Sequence, residues 1–370
     1  MKEKGGRKNA LPFIYDIEEL KKRLGFSEKK AKEIEKTIAV YPLRIPEFYL
    51  NLIEKENPAC PIKKQCIPDI KELSQRGVLD PLIEEKYSIT PSFIKKYPGR
   101  GVFLSNTQCA MFCRFCNRKR LIGKSHNINN SHKDTFNYLE KDKTIKEVII
   151  SGGDPLMLSI DEFNYILMRL TSIPHIKILR ISTRMPVVYP DGIDKRLINS
   201  IKAISPLYFI IHINHPKEIT KEFSEIVKKL RNAGCILLSH TVLLRGVNDC
   251  PYILKNLFEG LIMLGVKPYY LFQVDEVMGV AHFKVSLKKG VEIMKLLRRE
   301  LSGIALPSYV IDITEGAGKI PVDYMYIRKR SGKKLLIEDL YGNIGHYTDD
   351  GKKSICSGCN ICGTKRNFRG

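Results

Sequence analysis

The sequence predicts an α/β chain built on a partial (β/α)6 barrel, with a helical N-terminal region and a cysteine-rich C-terminal tail. Three observations lead there. Apolar, β-rich runs recur roughly every 25–35 residues, and each interval between them carries helical periodicity. The runs are almost continuously apolar, as strands of a parallel sheet covered on both faces must be.

Taken in order, the chain opens on a basic stretch, "MKEKGGRKNA", with no apolar core behind it, which predicts a cytoplasmic protein and no secretory signal. From Asp16 to about Asp80 the pattern is helical, in "IEELKKRLG" and "AKEIEKTIAV", and Pro42, Pro46, Pro58 and Pro61 cut it into short pieces. The strand candidates follow: "GVFLSN" (101–106), "EVIISGG" (147–153), "IKILRIST" (176–183), "LYFIIHIN" (207–214), "CILLSHTVLL" (235–244), "VKPYYLFQV" (266–274) and "SYVIDIT" (308–314). Between them lie amphipathic segments such as "ITKEFSEIVKKLRNAG", whose Asn-Ala-Gly is a helix stop. The expected division is a helical region over 1–95, the barrel over 96–318 and a C-terminal segment over 319–370.

The chain has 370 residues, enough for a large core, and no apolar run long enough to span a membrane. A net charge of +22 raises nucleic acid as a partner. The lysines are spread along helix faces, however, and the chain has no Trp and no basic–aromatic interleaving, which argues for a solvated surface instead. Ten cysteines in a cytosolic chain point to metal or redox chemistry before disulfides.

Three of them, Cys109, Cys113 and Cys116, stand in "CAMFCRFC" directly after the first strand. A barrel concentrates its chemistry in the loops at the carboxyl ends of its strands, and this is such a loop. Structural zinc takes four protein ligands. The C-x3-C-x2-C spacing instead suits three corners of a [4Fe–4S] cube, leaving one iron open to a small chelating molecule. After the second strand comes "SGGDP", where glycines let backbone polar groups approach a ligand.

The cysteine loop with the barrel behind it resembles the radical S-adenosylmethionine enzymes, and "CAMFCRFCNRKR" is similar to the loop of the lysine 2,3-aminomutases. The resemblance runs from about Asn57 to Lys365. It implies that S-adenosylmethionine occupies the open iron and is met by Ser151, Gly152, Gly153 and Asp154, the last standing where Glu is more common in the superfamily. It implies a pyridoxal 5′-phosphate held as an aldimine by Lys319 of "VIDITEGAGKIP", its phosphate met by Arg100 and Lys96 of "KKYPGR". A P-loop reading of that segment fails, since no Ser or Thr follows Lys319.

Further implications concern the substrate. Arg118 matches the family's arginine for the α-carboxylate, and Asp275 and Asp312 match its aspartates for the side-chain ammonium of lysine. Two acids in a dry pocket favour a cation and penalise an anion, against the glutamate-specific relatives. Cys356, Cys359 and Cys362 of "CSGCNIC", with Cys250 of "GVNDC", resemble the family's zinc site, shared between subunits, and so imply a homo-oligomer. The expected activity is a 2,3-aminomutase converting L-lysine to L-β-lysine, fed by an electron donor such as flavodoxin or ferredoxin. Alternatives are an aminomutase for arginine or glutamate, one supplying β-lysine to modify a translation factor, and a radical enzyme acting on RNA. Two positions depart from the family pattern: His240 where an amide is usual, and Phe272 where tyrosine is expected.

Overall fold

The computed structural model describes residues 13–123, 128, 131–204, 206–313 and 318–349. These fall into two compact units, one ending at Asp323 and the other beginning at Tyr324.

The first unit holds a ten-stranded sheet. Its strands are β1 (Ser88–Thr90), β2 (Phe93–Tyr97), β3 (Arg100–Asn106), β4 (Glu147–Gly152), β5 (Ile178–Thr183), β6 (Tyr208–His212), β7 (Ile236–Leu243), β8 (Lys267–Gln273), β9 (Ser308–Asp312) and β10 (Lys319–Pro321). They lie side by side in chain order. β3 to β9 pair in parallel, while β1, β2 and β10 are antiparallel additions at the two ends. The expected six β/α repeats and their seventh closing strand are therefore all present, as an open barrel.

The two longer helices before the sheet are α1 (Ile17–Leu24) and α2 (Glu28–Ile38). Six longer ones cross over between its parallel strands: α3 (His132–Lys141), α4 (Ile160–Thr171), α5 (Lys195–Ile204), α6 (Lys221–Asn232), α7 (Pro251–Met263) and α8 (Leu287–Glu300). Their sequences explain both boundaries and faces. In α4, Ser159 and Glu162 form a reciprocal capping box, and Phe163, Ile166, Leu167 and Leu170 make the buried stripe. In α6, Thr220 caps the amide of Phe223, and the chain leaves the helix through Gly234 at φ +84°.

Strand alternation sorts the side chains. Val148, Ile150, Leu179, Ile181, Phe209, Ile211, Leu237 and Leu271 belong to the core shared with the helices. The alternate positions, among them Ile149, Arg180, Ser182, His212, His240 and Phe272, line a cavity inside the barrel. The helices cover the outer face as expected, whereas the inner face lines a cavity with polar and apolar side chains together.

The N-terminal region supplies acids to the cysteine loop. Glu72 is fully buried, in a 3-10 turn (Ile70–Leu73) that Asp69 caps. Its carboxylate meets Arg114 Nη2 at 2.6 Å and Lys119 Nζ at 2.5 Å. Burial opposes its ionisation, but Arg114 and Lys119 outweigh burial and hold its carboxyl below the usual range. Glu84 receives Arg118 Nη2 at 2.7 Å and Arg120 Nη2 at 3.2 Å, and Asp80 shares Arg120. The whole basic run after the cysteines is thus paired.

The second unit carries a three-stranded antiparallel sheet, β11 (Ile327–Ser331), β12 (Lys334–Glu338) and β13 (Ile344–Thr348). Among the described residues no helix is long and apolar enough to cross a membrane.

Removing Glu72 leaves two buried cations without their carboxylate. Glu72→Ala is expected to lower unfolding free energy by about 3–5 kcal/mol in denaturant titrations, and a loss under about 1 kcal/mol would contradict the buried clamp.

Candidate active site

One cavity of about 470 Å3 gathers most of the residues singled out in the sequence. Its lining includes Cys109, Cys113, Cys116, Ser151, Gly152, Gly153, Asp154, Lys96, Arg100, Arg118, Asp275, Asp312 and Lys319. These come from the ends of β2, β3, β4, β8, β9 and β10 and the loops after them, residues up to 223 positions apart in sequence.

The cysteines occupy the turn after β3. Burial, then the neighbouring charges of Asp154 and the other two sulfurs, pushes the Cys109 thiol well up, and burial followed by Cys113 raises Cys116 to about 11. Donors already point at the sulfurs: Arg184 Nη1 lies 2.9 Å from Cys113 Sγ, and the Arg118 amide donates to Cys116 Sγ at 3.4 Å. Such donors favour thiolates, the form that holds iron. Among the described residues no three His, Cys, Asp or Glu side chains are arranged to hold a single metal ion.

The "SGGD" segment packs closely against the chain itself. A Cβ on Gly153 would lie 2.1 Å from the carbonyl oxygen of Gln108, and one on Gly152 2.5 Å from that of Asn106. The glycines are needed because this loop docks on the chain's own cysteine loop, where Gly153 N donates to Asn106 O at 2.6 Å and Asp154 N to Gln108 O at 2.7 Å. The Asp154 carboxylate is engaged on both oxygens, by Thr183 Oγ1 and the amides of Leu156, Arg184 and Met185. It ties the second loop to the third.

Arg118 faces the cavity with much of its fork taken. Nε and Nη2 grip Glu84, and Nη1 reaches Ser151 Oγ at 3.1 Å. Lys96 Nζ rests on the Leu82 carbonyl at 3.2 Å, and the Arg100 guanidinium stacks 4.2 Å over Tyr97. Lys319 Nζ lies 3.3 Å from Asp312 Oδ2 and 5.5 Å from the Phe272 ring centre. Asp275 accepts from Asn117 Nδ2 at 3.1 Å, and its pKa rises to about 7. Burial is the main cause, and the Asp312 charge the next.

His240 and Phe272, the two departures from the family pattern, are neighbours, their rings edge-on at 4.9 Å. Burial, and then the cations of Arg180 and Lys319 with His212, holds His240 neutral far below its ordinary pKa. Phe272 thus abuts both the changed histidine and the lysine.

Sequence reasoning missed Glu84, Arg184 and Asn117. Arg184 is buried, bonded to Cys113, Tyr49, Gln65 and Glu218. The legible signal for Glu84 was charge balance: "NRKR" beside a cavity needed acids, and "LIEEK" offered them. Of the cysteines expected at zinc, Cys250 precedes α7 as a free thiol, and Cys356, Cys359 and Cys362 lie outside the described residues.

Comparison with known proteins bears on this constellation. The family model described as the Radical SAM superfamily matches residues 104–253, and that described as Lysine-2,3-aminomutase matches residues 294–363. An L-lysine 2,3-aminomutase of Methanococcus maripaludis is 39% identical over 357 residues, covering 94% of this chain and 82% of that protein. The chain belongs to the lysine 2,3-aminomutase family. It is therefore an enzyme of the radical S-adenosylmethionine superfamily, which brings an iron–sulfur cluster and S-adenosylmethionine with it. Another family member, the L-lysine 2,3-aminomutase of Fusobacterium nucleatum, is 37% identical, covering 91% of this chain and 80% of that protein. A glutamate 2,3-aminomutase of Clostridioides difficile is 36% identical, covering 88% and 80%. Overall similarity within the family therefore does not choose the substrate, and the pocket's charges must.

Asp275 holds its proton below about pH 7, so only above that does the pocket offer two carboxylates. Affinity for a primary alkylammonium should rise as pH increases through about 7, read by calorimetry. The same proton linkage makes Asp275 favour the folded state at low pH, a contribution lost as pH rises to about 7. Asp275→Asn should flatten the affinity step, and a wild-type profile flat from pH 6 to 8 would refute the assignment.

Proposed function

We propose that the protein is a pyridoxal phosphate-dependent lysine 2,3-aminomutase, interconverting L-lysine and L-β-lysine by moving the α-amino group between C2 and C3. The observation behind this reading is the acid pair, Asp275 and Asp312, beside Lys319 in the cavity that the three cysteines also line. When bound, the cluster with S-adenosylmethionine supplies a carbon radical that removes and returns hydrogen, and pyridoxal phosphate supplies a π system across which nitrogen migrates.

In this reading Cys109, Cys113 and Cys116 hold the cluster, with Arg184 and the Arg118 amide supporting thiolate charge. The backbone of Ser151, Gly152 and Gly153 meets S-adenosylmethionine, and Asp154 braces that backbone from behind. Lys319 takes the pyridoxal aldehyde as a covalent partner, and Lys96 and Arg100 attract its phosphate. Asp275 and Asp312 hold the ammonium at the far end of lysine. A glutamate side chain would bring a third negative charge to the same place, which a low-dielectric pocket strongly disfavours. Arg118, steadied by Glu84, presents Nη1 beside Ser151 to the α-carboxylate. Val242, Phe272 and Ile149 supply apolar wall that keeps water from a radical. A small reductant protein such as flavodoxin or ferredoxin delivers the electron.

Anaerobic protein given reductant, S-adenosylmethionine and single amino acids should convert lysine to β-lysine, detected by chromatography. Turnover of glutamate or arginine in place of lysine would overturn the substrate. Lys319→Ala should lose pyridoxal absorption while keeping that of the cluster. Asp312→Asn should cut kcat/KM for lysine by at least about 30-fold, the size expected when one partner of a buried charge contact is removed.

A further inference from the structure

The two ends of the barrel sheet meet at Tyr97. Tyr97 closes β2, and the Pro98-Gly99 turn, with Gly99 at φ +74°, folds the chain so that Tyr97 pairs with Arg100. The Tyr97 hydroxyl accepts the backbone N–H of Lys319 at 3.0 Å, across 222 positions of sequence. Gly318, at φ +130°, makes the approach possible, since a Cβ there would lie 2.1 Å from that hydroxyl oxygen. On the other side Lys319 is in register with Asp312 of β9. β10 is three residues long and exposed throughout, so β9 alone is a weak anchor for it.

We infer that Tyr97 is a positioning residue for Lys319: its hydroxyl bridges the open seam of the barrel and fixes the backbone from which the lysine amine enters the cavity. The inference rests on the reading of Lys319 as the pyridoxal lysine. An amine must reach the aldehyde carbon at bonding distance and angle, and small misplacements of a reacting group cost large factors in rate. With the hydroxyl gone, β10 keeps its ladder to β9 and loses this bond to the end of β2. The ring also lies under Arg100 at 4.2 Å, so one residue ties the lysine to a cation expected at the phosphate.

Tyr97→Phe isolates the hydroxyl, because the ring under Arg100 remains. The full-length protein, cluster in place, is mixed with pyridoxal 5′-phosphate and quenched with borohydride at timed intervals. The amine condenses with the aldehyde and expels one water. Borohydride then delivers hydride to the carbon–nitrogen double bond, leaving a stable secondary amine that peptide mass spectrometry locates. Tyr97→Phe is expected to label Lys319 at least about 10-fold more slowly than wild type, with labelling of surface lysines and cluster absorption unchanged. A merely structural role would instead lower the melting temperature and leave the rate at Lys319 as it is. Labelling of Lys319 at the wild-type rate in Tyr97→Phe overturns the inference. Absence of label on Lys319 in wild type overturns the pyridoxal assignment itself, and the inference with it.

Discussion

Arg114, Arg118, Lys119 and Arg120 lie within seven positions beside the cysteines, and none of the four is exposed. Unpaired, such cations would pull the loop into water, because burying an isolated charge costs far more than one loop's packing returns. Glu72, Asp80 and Glu84 prevent this. The N-terminal region is thereby the counter-charge of the active-site loop as well as a cover for the barrel. Everything further in leans on that neutralisation. The second loop docks on the backbone of the first through Gly152 and Gly153, and Asp154 binds the third loop to the second. The contacts run in series from the acids to the cysteine loop, the glycine loop and the third loop.

Much of this was legible in the chain. The seven parallel strands fall where apolar runs recur, because a strand covered on both faces has little choice but to be apolar. The helix ends at Ser159 and Gly234 follow from capping chemistry that acts within a few residues. The cavity lining was legible for residues that follow a strand, such as Cys109 and Asp275, since the barrel sends those positions to one end. Less legible was what each group does once there. Asp154 reads as a ligand-facing acid after two glycines, yet Thr183 and the amides after it, some 30 positions away, use both its oxygens. Arg118 reads as an arginine for a substrate carboxylate, and the sequence does not show that Glu84, 34 positions earlier, takes most of its fork. Partners at that separation leave no periodicity or spacing to read.

His240 and Phe272 illustrate a third case, in which sequence marks two unusual positions but not their relation. They sit on adjacent strands, β7 and β8, whose register brings the two rings together. A change at one alters the wall against which the other packs, so the pair is one alteration of the cavity. Its position next to Lys319 gives that alteration a route to the chemistry without any new charge, because the imidazole is neutral.

The ammonium of Lys319 beside Asp312 has a further consequence. Under the proposed function, the Lys319 amine is taken up in its link to pyridoxal, so the acid it stands beside is left for a cation that arrives with the substrate. A neutral isostere of lysine would bring no charge to compensate it. Discrimination of that sort belongs to electroneutrality, and it holds even where shape alone would admit the wrong molecule.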